Sequence, residues 1–273
     1  MTKYVSQFVA LLLATPAVFA EVQTRDVTYN DGEVVLKGHL AYDPGLIPKL
    51  GNAQGAQAPA VLIVHQWMGL TDYEKGRADQ LAKLGYVVFA LDIYGVENRP
   101  KDRGEAGAMA GKFKTDRALF RKRLNLGLAQ LTSNINVDPN RVVAIGYCFG
   151  GTGVLELARS GADIAGVVSF HGGLDAPTPE DAKNIKAKVL ICHGADDPFV
   201  PRQDIIAMKK SFDDADVDWT MIEYSGAVHS FTQPMAGDDP SKGAAYNKQA
   251  DKRSWKHMRT FFNEVMGPVD ETN

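Results

Sequence analysis

The segment Gly146-Tyr147-Cys148-Phe149-Gly150-Gly151 places a cysteine between glycines, where a buried strand would turn into a helix. The apolar run 142–145 before it has the β-branched content of a strand, and residues 150–160 after it have helical spacing. In a strand–turn–helix of this kind, the helix N-terminus directs free N–H groups at the cysteine and favours the thiolate. The pattern predicts Cys148 as a nucleophile and the Phe149 N–H as a donor to a developing oxyanion. The alternative is a buried structural cysteine in a tight turn.

A thiol nucleophile needs a general base, and the base needs an orienting acid. Asp197 follows the apolar run 188–191 at a predicted turn, and His229 lies on a short loop after the last predicted strand. The order nucleophile, acid, histidine predicts Asp197 as the acid and His229 as the base. Asp196 is the alternative acid, because it directly precedes Asp197.

Three further histidines end predicted strands near the same place: His65, His171 and His193. We predict that each is a structural hydrogen-bonding residue. No pair of histidines has the helical spacing of a zinc motif, so a catalytic metal is not expected.

Strands and helices alternate along most of the chain, which is typical of an α/β fold with a mostly parallel, doubly wound sheet and helices on both faces. Ligands of such sheets bind beyond the carboxyl ends of the strands, where the residues above lie together with Tyr94. A hairpin over 27–36, with an Asp31-Gly32 turn, and a surface loop over 44–58 precede the alternating part. The buried strands are predicted at 60–64, 86–91, 142–145, 165–169, 188–191 and 219–222, and the helices at 73–84, 115–133, 150–160, 202–212 and 244–266.

The composition is that of an ordinary globular protein, with 273 residues, 45% hydrophobic and 23% charged. The length suits one large α/β domain, which we predict over 21–273. A formal net charge of −3, evenly spread, argues against a nucleic-acid binder. No segment after the N-terminus has the roughly 18 unbroken apolar residues of a membrane span. We expect a monomer or small homo-oligomer whose partner is a small-molecule substrate.

Residues 1–20 differ from the rest of the chain. Lys3 is their one charge, an apolar core covers 8–14, and Val18-Phe19-Ala20 supplies small residues before Glu21. This pattern is typical of a cleaved signal peptide and predicts a periplasmic or secreted protein. A buried N-terminal helix is the alternative.

An exported protein with two cysteines raises the question of a disulfide. Cys192 ends the apolar run Lys188-Val189-Leu190-Ile191-Cys192, whereas Cys148 lies between glycines. We therefore predict that Cys192 is a small buried strand residue and that Cys148 is a free thiol with a function.

Three segments resemble the dienelactone hydrolase family of α/β-hydrolases, and the similarity extends over nearly the whole mature chain: the cysteine segment 146–151, Asp197-Pro198-Phe199-Val200-Pro201 and Gly226-Ala227-Val228-His229-Ser230-Phe231. The resemblance implies the α/β-hydrolase fold, a Cys-His-Asp triad and no cofactor. It implies hydrolysis of a lactone or ester through a covalent acyl-cysteine. It also implies that the Trp67 N–H is a second oxyanion donor beside the Phe149 N–H.

Gln66 stands where family members commonly carry a glutamate that takes part in activating the resting thiol. An amide accepts a hydrogen bond, but it neither takes a proton nor supplies negative charge. We therefore expect His229 to deprotonate Cys148 directly, or His65 to substitute for the glutamate in part.

The family's clamp for a substrate carboxylate is also altered. The dienelactone enzymes hold that carboxylate with arginines, one of them four residues after the catalytic histidine, where this chain has Gln233. Arg99 or Arg103, on the polar segment after Tyr94, is a candidate cation, and a solvated surface position is the alternative for both. A neutral amide does not replace a guanidinium at such a clamp, so dienelactone itself is not the expected substrate.

Three functions remain open at this point. The leading hypothesis is an exported cysteine-dependent hydrolase that cleaves small esters or lactones through an acyl-Cys148 intermediate. The second keeps the triad but acts on thioesters or transfers the acyl group to an acceptor other than water. The third is a non-catalytic or redox protein in which Cys148 is a binding or oxidisable thiol, and Gln66 gives this reading some weight.

Overall fold

A computed structural model of the chain describes residues 21–47 and 57–269. Strands and α-helices alternate over most of this range, as the apolar runs predict. The strands are β1 (Gln23–Asp31), β2 (Val34–Tyr42), β3 (Ala58–Val64), β4 (Val87–Ala90), β5 (Val137–Tyr147), β6 (Gly166–Phe170), β7 (Lys188–Gly194) and β8 (Trp219–Tyr224). The helices are α1 (Asp72–Ala82), α2 (Arg103–Thr115), α3 (Arg117–Thr132), α4 (Phe149–Arg159), α5 (Arg202–Asp213) and α6 (Lys248–Met266).

The strands form one sheet in the order β1-β2-β4-β3-β5-β6-β7-β8. The β1–β2 and β2–β4 pairs are antiparallel, and every pair from β4 to β8 is parallel. Gly32, at φ 59°, turns the chain between β1 and β2 in the left-handed conformation that the Asp31-Gly32 pair predicts. The predicted mostly parallel, doubly wound sheet is confirmed.

Apolar side chains fill the space on both faces of the sheet. On one face, α1 and α6 pack through residues such as Leu81, Met258 and Phe262. On the other face, α2 to α5 pack through residues such as Phe120 and Phe212. Burying a side chain of this size stabilises the fold by roughly 1.5–3 kcal/mol, so the 3.6-residue spacing of these positions determines which way each helix faces.

Helix α2 was not predicted. The predicted helix over 115–133 corresponds to α3, whose N-terminus Asp116 caps. α2 precedes it and buries Ala106, Ala110 and Phe113 at helical spacing. Three glycines lie among its thirteen residues, and glycine lowers helix propensity, so the helix depends on packing against the sheet more than on its own sequence.

The predicted signal peptide over 1–20 lies outside the described residues, as do 48–56 of the predicted surface loop and 270–273. Among the helices that the structure describes, none is long and apolar enough to cross a membrane.

Candidate active site

Cys148 lies in the turn between β5 and α4. Its φ of 55° is left-handed backbone, which a non-glycine residue adopts when the surrounding structure enforces it. A Cβ added to Gly146 would lie 2.0 Å from the Gly150 carbonyl oxygen, and one added to Gly150 would lie 2.1 Å from the Val64 carbonyl oxygen. Strand and helix therefore pass too closely for side chains, and this close passage presents the thiol at the N-terminus of α4.

His229 lies between the Cys148 thiol and the Asp197 carboxylate. His229 Nε2 is 3.1 Å from Cys148 Sγ, and His229 Nδ1 is 2.8 Å from Asp197 Oδ2. The Asp197 side chain is fully buried, and its Oδ1 accepts the Phe199 N–H at 2.9 Å. Asp196, the alternative acid, is exposed and accepts a backbone N–H at 3.0 Å instead. The structure thus brings the three predicted residues into one hydrogen-bond sequence.

The backbone of His229 is fixed on both sides. Its N–H donates to the Gly243 carbonyl at 3.1 Å, and its carbonyl accepts the Ala245 N–H at 3.0 Å, so that it forms an isolated parallel bridge with Ala244. Ser230 then turns the chain with φ 58°. The position of the imidazole is therefore set by the chain beyond β8 as well as by Asp197.

These contacts favour a thiolate–imidazolium pair. Burial raises the pKa of the Cys148 thiol, but the charge and hydrogen bond of His229 outweigh burial, with smaller help from the Phe149 N–H and Lys114, and the pKa is lowered overall. Burial lowers the pKa of His229, but the Cys148 thiolate and the Asp197 carboxylate outweigh burial and raise this pKa to about 10. Because each charge is a main cause of the other, the two groups titrate as a pair.

The predicted oxyanion donors are the backbone N–H groups of Phe149 and Trp67. The Phe149 N–H is directed at Cys148 Sγ, and the Trp67 N–H donates to no other group in the described part of the chain. The Trp67 carbonyl accepts the hydroxyl of buried Tyr94 at 3.0 Å, which fixes this peptide segment. Since Gly150 packs directly under the end of β3, Trp67 and Cys148 belong to the same edge of the sheet.

His65 and Gln66 end β3 as hydrogen-bonding residues of the backbone. His65 is fully buried, its Nδ1–H donates to the Gln66 carbonyl at 2.6 Å, and its Nε2 accepts the Ile93 N–H at 3.1 Å. Both ring nitrogens are occupied and burial lowers the pKa of His65, so the expectation that it substitutes for the missing glutamate is wrong. Gln66 is buried and donates its N–H to Glu74 Oε1 at 3.2 Å, while its side-chain amide forms no hydrogen bond with the residues described.

The other two strand-end histidines differ from each other. Both ring nitrogens of His171 are hydrogen-bonded, as predicted for a structural residue. The buried Nδ1 of His193 has no hydrogen-bond partner within 21–47 and 57–269, so the prediction does not hold for that atom.

The candidate cations are engaged elsewhere or exposed. Arg99 Nη2 donates to the Lys37 carbonyl at 3.1 Å and pairs with Asp92 at 3.4 Å. Arg103 begins α2 on the exposed surface, and Gln233 is half-buried with no hydrogen bond from its side chain among the described residues. Neither arginine contacts the three residues of the hydrogen-bond sequence, so the structure does not support an arginine clamp at these positions.

Sequence reasoning missed two residues near the site. Lys114, in the last turn of α2, contributes to the lowered pKa of Cys148, and it was missed because α2 itself was not predicted. Glu74 is buried and accepts hydrogen bonds from the N–H groups of Gln66 and Thr71. The spacing Thr71-x-x-Glu74 is that of a helix capping box, a signal that could have identified it.

Cys148 and Cys192 are both free. Cys192 is a fully buried residue of β7, as predicted, and burial raises its pKa to about 12. Within the described ranges, no group of three or more His, Cys, Asp or Glu side chains is arranged to hold a metal ion.

Known proteins resemble this chain over most of its length. The sequence model of the Dienelactone hydrolase family matches residues 49–266. Protein usf of Aquifex pyrophilus is 27% identical over 250 residues, which are 88% of this chain and 98% of that protein. The crystal structure of a dienelactone hydrolase-like promiscuous phosphotriesterase from metagenomic libraries is 38% identical, with a TM-score of 0.83, over 90% of this chain and 100% of that one. Dienelactone hydrolase from Anabaena variabilis, at 21% identity, agrees in fold with a TM-score of 0.62 over 87% of this chain and 98% of that one.

The family match extends from before β3 to the end of α6, and so includes the cysteine turn, the Asp197 turn and the His229 loop. Both solved structures confirm the α/β-hydrolase fold. The chain therefore belongs to the dienelactone hydrolase family of α/β-hydrolases, enzymes that hydrolyse lactones and esters.

Proposed function

We propose that this protein is an exported cysteine hydrolase that cleaves small esters or lactones through an acyl-Cys148 intermediate. The observation that carries the proposal is the hydrogen-bond sequence from Cys148 Sγ through His229 to buried Asp197, at the N-terminus of α4. The thiolate is the nucleophilic form of cysteine, and the lowered pKa of Cys148 favours it before substrate binds.

In the acylation step, the Cys148 thiolate attacks the carbonyl carbon and the C=O electron pair moves onto oxygen. The N–H groups of Phe149 and Trp67 donate to this oxyanion. As the tetrahedral intermediate collapses, the C–O bond to the leaving group breaks and His229 Nε2 gives its proton to the leaving oxygen. The step yields acyl-Cys148, neutral His229 and an alcohol, which stays attached to the acyl group when the substrate is a lactone.

In the deacylation step, neutral His229 takes a proton from water, and the hydroxide oxygen attacks the acyl carbon. The C–S bond breaks, the thiolate leaves with its electron pair, and a carboxylic acid is released. Asp197 accepts the Nδ1–H of His229 in both steps, which keeps Nε2 directed at the sulfur. The Asp197 carboxylate also stabilises the imidazolium. The cycle returns the thiolate–imidazolium pair without a further base.

The end of β3 supports this direct use of His229. His65 is committed to two backbone hydrogen bonds and Gln66 carries no charge, so neither offers a second base. Arg99 is paired with Asp92 and Arg103 is exposed, so neither predicted cation is held at the Cys148–His229–Asp197 sequence, which favours substrates whose recognition does not depend on a carboxylate.

The test is intact-protein mass spectrometry after brief exposure to p-nitrophenyl acetate, with Cys148→Ala and the matched control Cys192→Ala. We expect an acetyl adduct on wild type and on Cys192→Ala that decays as product is released. Cys148→Ala should show no adduct and at least about 1000-fold lower turnover, because the covalent step is lost. Turnover retained by a folded Cys148→Ala protein would contradict the proposal.

The same experiment separates the alternatives. If added alcohol or amine captures the acyl group in preference to water, the protein is an acyltransferase with this triad. If no adduct forms and Cys148 is recovered oxidised, the redox or binding function is supported instead.

The similarity to a promiscuous phosphotriesterase, at 38% identity, favours a second activity. We propose that the Cys148 thiolate also attacks the phosphorus of a phosphotriester, expels the leaving alkoxide, and is regenerated when water cleaves the P–S bond. Diethyl p-nitrophenyl phosphate should release p-nitrophenolate slowly with wild type and not with Cys148→Ala. Equal release by both proteins, or none by either, would rule this activity out.

Export is proposed from residues 1–20 alone. Cell fractionation followed by N-terminal sequencing is expected to find the protein outside the cytoplasm with Glu21 as its first residue. A cytoplasmic protein that retains residues 1–20 would contradict it.

A further inference from the structure

His171 lies directly after β6, behind the Cys148–His229 pair. It is 1% exposed, and its φ of 41° is left-handed backbone. Its ring centroid lies 5.3 Å from that of His229 and 5.1 Å from that of Phe231. A buried, strained, titratable residue in contact with the proposed general base is unexplained by the mechanism above.

The hydrogen bonds of His171 determine its tautomer. The Cys148 N–H donates to two acceptors, His171 Nδ1 at 3.1 Å and the Phe170 carbonyl at 3.0 Å. A backbone N–H only donates, so Nδ1 is unprotonated and the proton of the neutral ring is on Nε2. Nε2 lies 2.8 Å from Thr232 Oγ1, which therefore accepts. His171 thus joins the Cys148 turn to the loop after β8. Thr232 lies on this loop, three residues after His229.

The chain of donors continues into α1. Thr232 Oγ1–H donates to Tyr73 Oη at 2.7 Å, and Tyr73 Oη–H donates to the Thr232 carbonyl at 3.2 Å. Arg77 Nε donates to Tyr73 Oη at 3.3 Å, and Arg77 Nη2 is paired with Asp251 of α6 at 2.6 Å. Arg77 of α1 and Asp251 of α6 therefore anchor the far end of the chain to two helices.

We propose that His171 is a positioning residue for the reaction: as the neutral Nε2–H tautomer, it holds the Cys148 turn and the His229 loop at a fixed separation through Thr232 Oγ1. The inference rests on the proposed function, because the separation it fixes is that between Cys148 Sγ and His229 Nε2. His171 is buried and hydrogen-bonded at both nitrogens, and it acts through its neighbours without touching substrate.

The surroundings of His171 keep it neutral. A proton on Nδ1 would place an N–H against the Cys148 N–H and a positive charge beside the His229 imidazolium. Burial, followed by the charge of His229, holds the pKa of His171 well below its ordinary value. The titratable groups around it are Cys148 and His229 of the proposed triad, Tyr147 of β5, Tyr73 and Arg77 of α1, and His193 of β7.

Thr232→Val is the decisive variant, because it keeps the shape of the side chain and removes the hydroxyl that His171 and Tyr73 share. Thr232→Ser restores the hydroxyl, and Thr220→Val, at an exposed position of β8, is the matched control. His171→Asn is a second probe, since asparagine tolerates left-handed backbone and can accept from the Cys148 N–H but is too short to reach Thr232.

The first measurement is the rate of Cys148 alkylation by iodoacetamide against pH, which needs no substrate. We expect Thr232→Val to shift the midpoint of the alkylation profile upward and to slow alkylation at the pH of the wild-type midpoint by about 3- to 10-fold, because a displaced His229 stabilises the thiolate less. The second measurement is the burst of p-nitrophenolate, which reports the rate constant of acylation. This rate constant should fall by about 10-fold with little change in KM, since small misplacements of reacting groups slow a reaction strongly. Thr232→Ser and Thr220→Val should stay within about 2-fold of wild type, and His171→Asn should resemble Thr232→Val.

A folded Thr232→Val protein with the wild-type alkylation profile would overturn the positioning role, as would a Thr232→Ser variant as impaired as Thr232→Val. Circular dichroism melting identifies a variant that has merely lost its fold. Failure of the proposed function has a different signature, namely turnover that survives Cys148→Ala, and it leaves the alkylation comparison intact.

Discussion

The carboxyl ends of β3 and of β7–β8 lie at the same edge of the sheet but use their residues in opposite ways. After β3, the histidine is neutral with both nitrogens engaged by the backbone, and the next residue is an amide. After β7, the buried carboxylate of Asp197 holds His229, and after β8 this histidine, with its pKa raised to about 10, faces the thiol. The first region contributes uncharged hydrogen-bonding groups, and the second contributes the Asp197–His229 ion pair.

Under the proposed mechanism, this division removes the need for a glutamate after β3. A carboxylate after β3 would compete with the thiolate for the positive charge of His229, whereas an amide leaves that charge to Cys148. Cys148 and His229 therefore form the charged pair, and Asp197 orients His229. The comparison is tested by changing the charge on one side at a time.

The largest effect is expected from Asp197→Asn, which removes the charge from the acidic side. Asparagine cannot accept from the Nδ1–H as a carboxylate does, so the pKa of His229 should fall and kcat/KM should drop by about 100- to 10,000-fold. The matched control is Asp196→Asn, whose exposed carboxylate does not contact His229, and it should stay near wild type. Steady-state kinetics of both variants provide the measurement, and similar losses in the two would remove the distinction between them.

The pH dependence is expected to report the thiolate–imidazolium pair. The pKa of Cys148 is lowered, so the thiolate is present above that value and is lost as pH falls through it. The pKa of His229 is raised to about 10, so the imidazolium that protonates the leaving group is lost as pH rises through about 10. A plot of kcat/KM against pH should show a plateau through neutral pH, and a rise only near the pKa of an ordinary thiol, about 8.5, would contradict the pair.

The smallest effect is expected from Gln66→Glu, which adds charge to the neutral side. A negative charge at residue 66 should raise the pKa of Cys148 and slow its alkylation at the pH of the wild-type midpoint by about 3- to 10-fold. Gln249→Glu, on the exposed start of α6, is the control for the change in net charge. Unchanged alkylation kinetics would show that residue 66 does not act on the sulfur electrostatically.

Local motifs made the fold and the Cys148, Asp197 and His229 positions predictable. The turn between β5 and α4 requires glycines around Cys148 because strand and helix nearly touch there, and that requirement is visible in the sequence. Parallel strands and the helices around them were predictable because their apolar periodicity reflects burial directly.

What could not be predicted depends on contacts between distant residues. His171 and Thr232 are 61 positions apart, and no spacing rule links a histidine after one strand to a threonine after another. The role of His65 also required its neighbours, because only the carbonyl of Gln66 and the N–H of Ile93 show that both nitrogens are engaged. Helix α2 was missed because small residues and glycine carry little local signal.

The backbone bridge between His229 and Ala244 closes off a mostly exposed stretch of chain, residues 234–242. The bridge and the Thr232 hydroxyl hold the two ends of the intervening stretch 234–242, and the Tyr246 N–H to Gly237 carbonyl hydrogen bond ties its middle to the chain beyond the bridge. Met235, 88% exposed within it, shows how little of this stretch is committed to the core. Exchanges at exposed positions such as Met235 should therefore leave the backbone of His229 in place, because the two hydrogen bonds that fix it join it to Gly243 and Ala245.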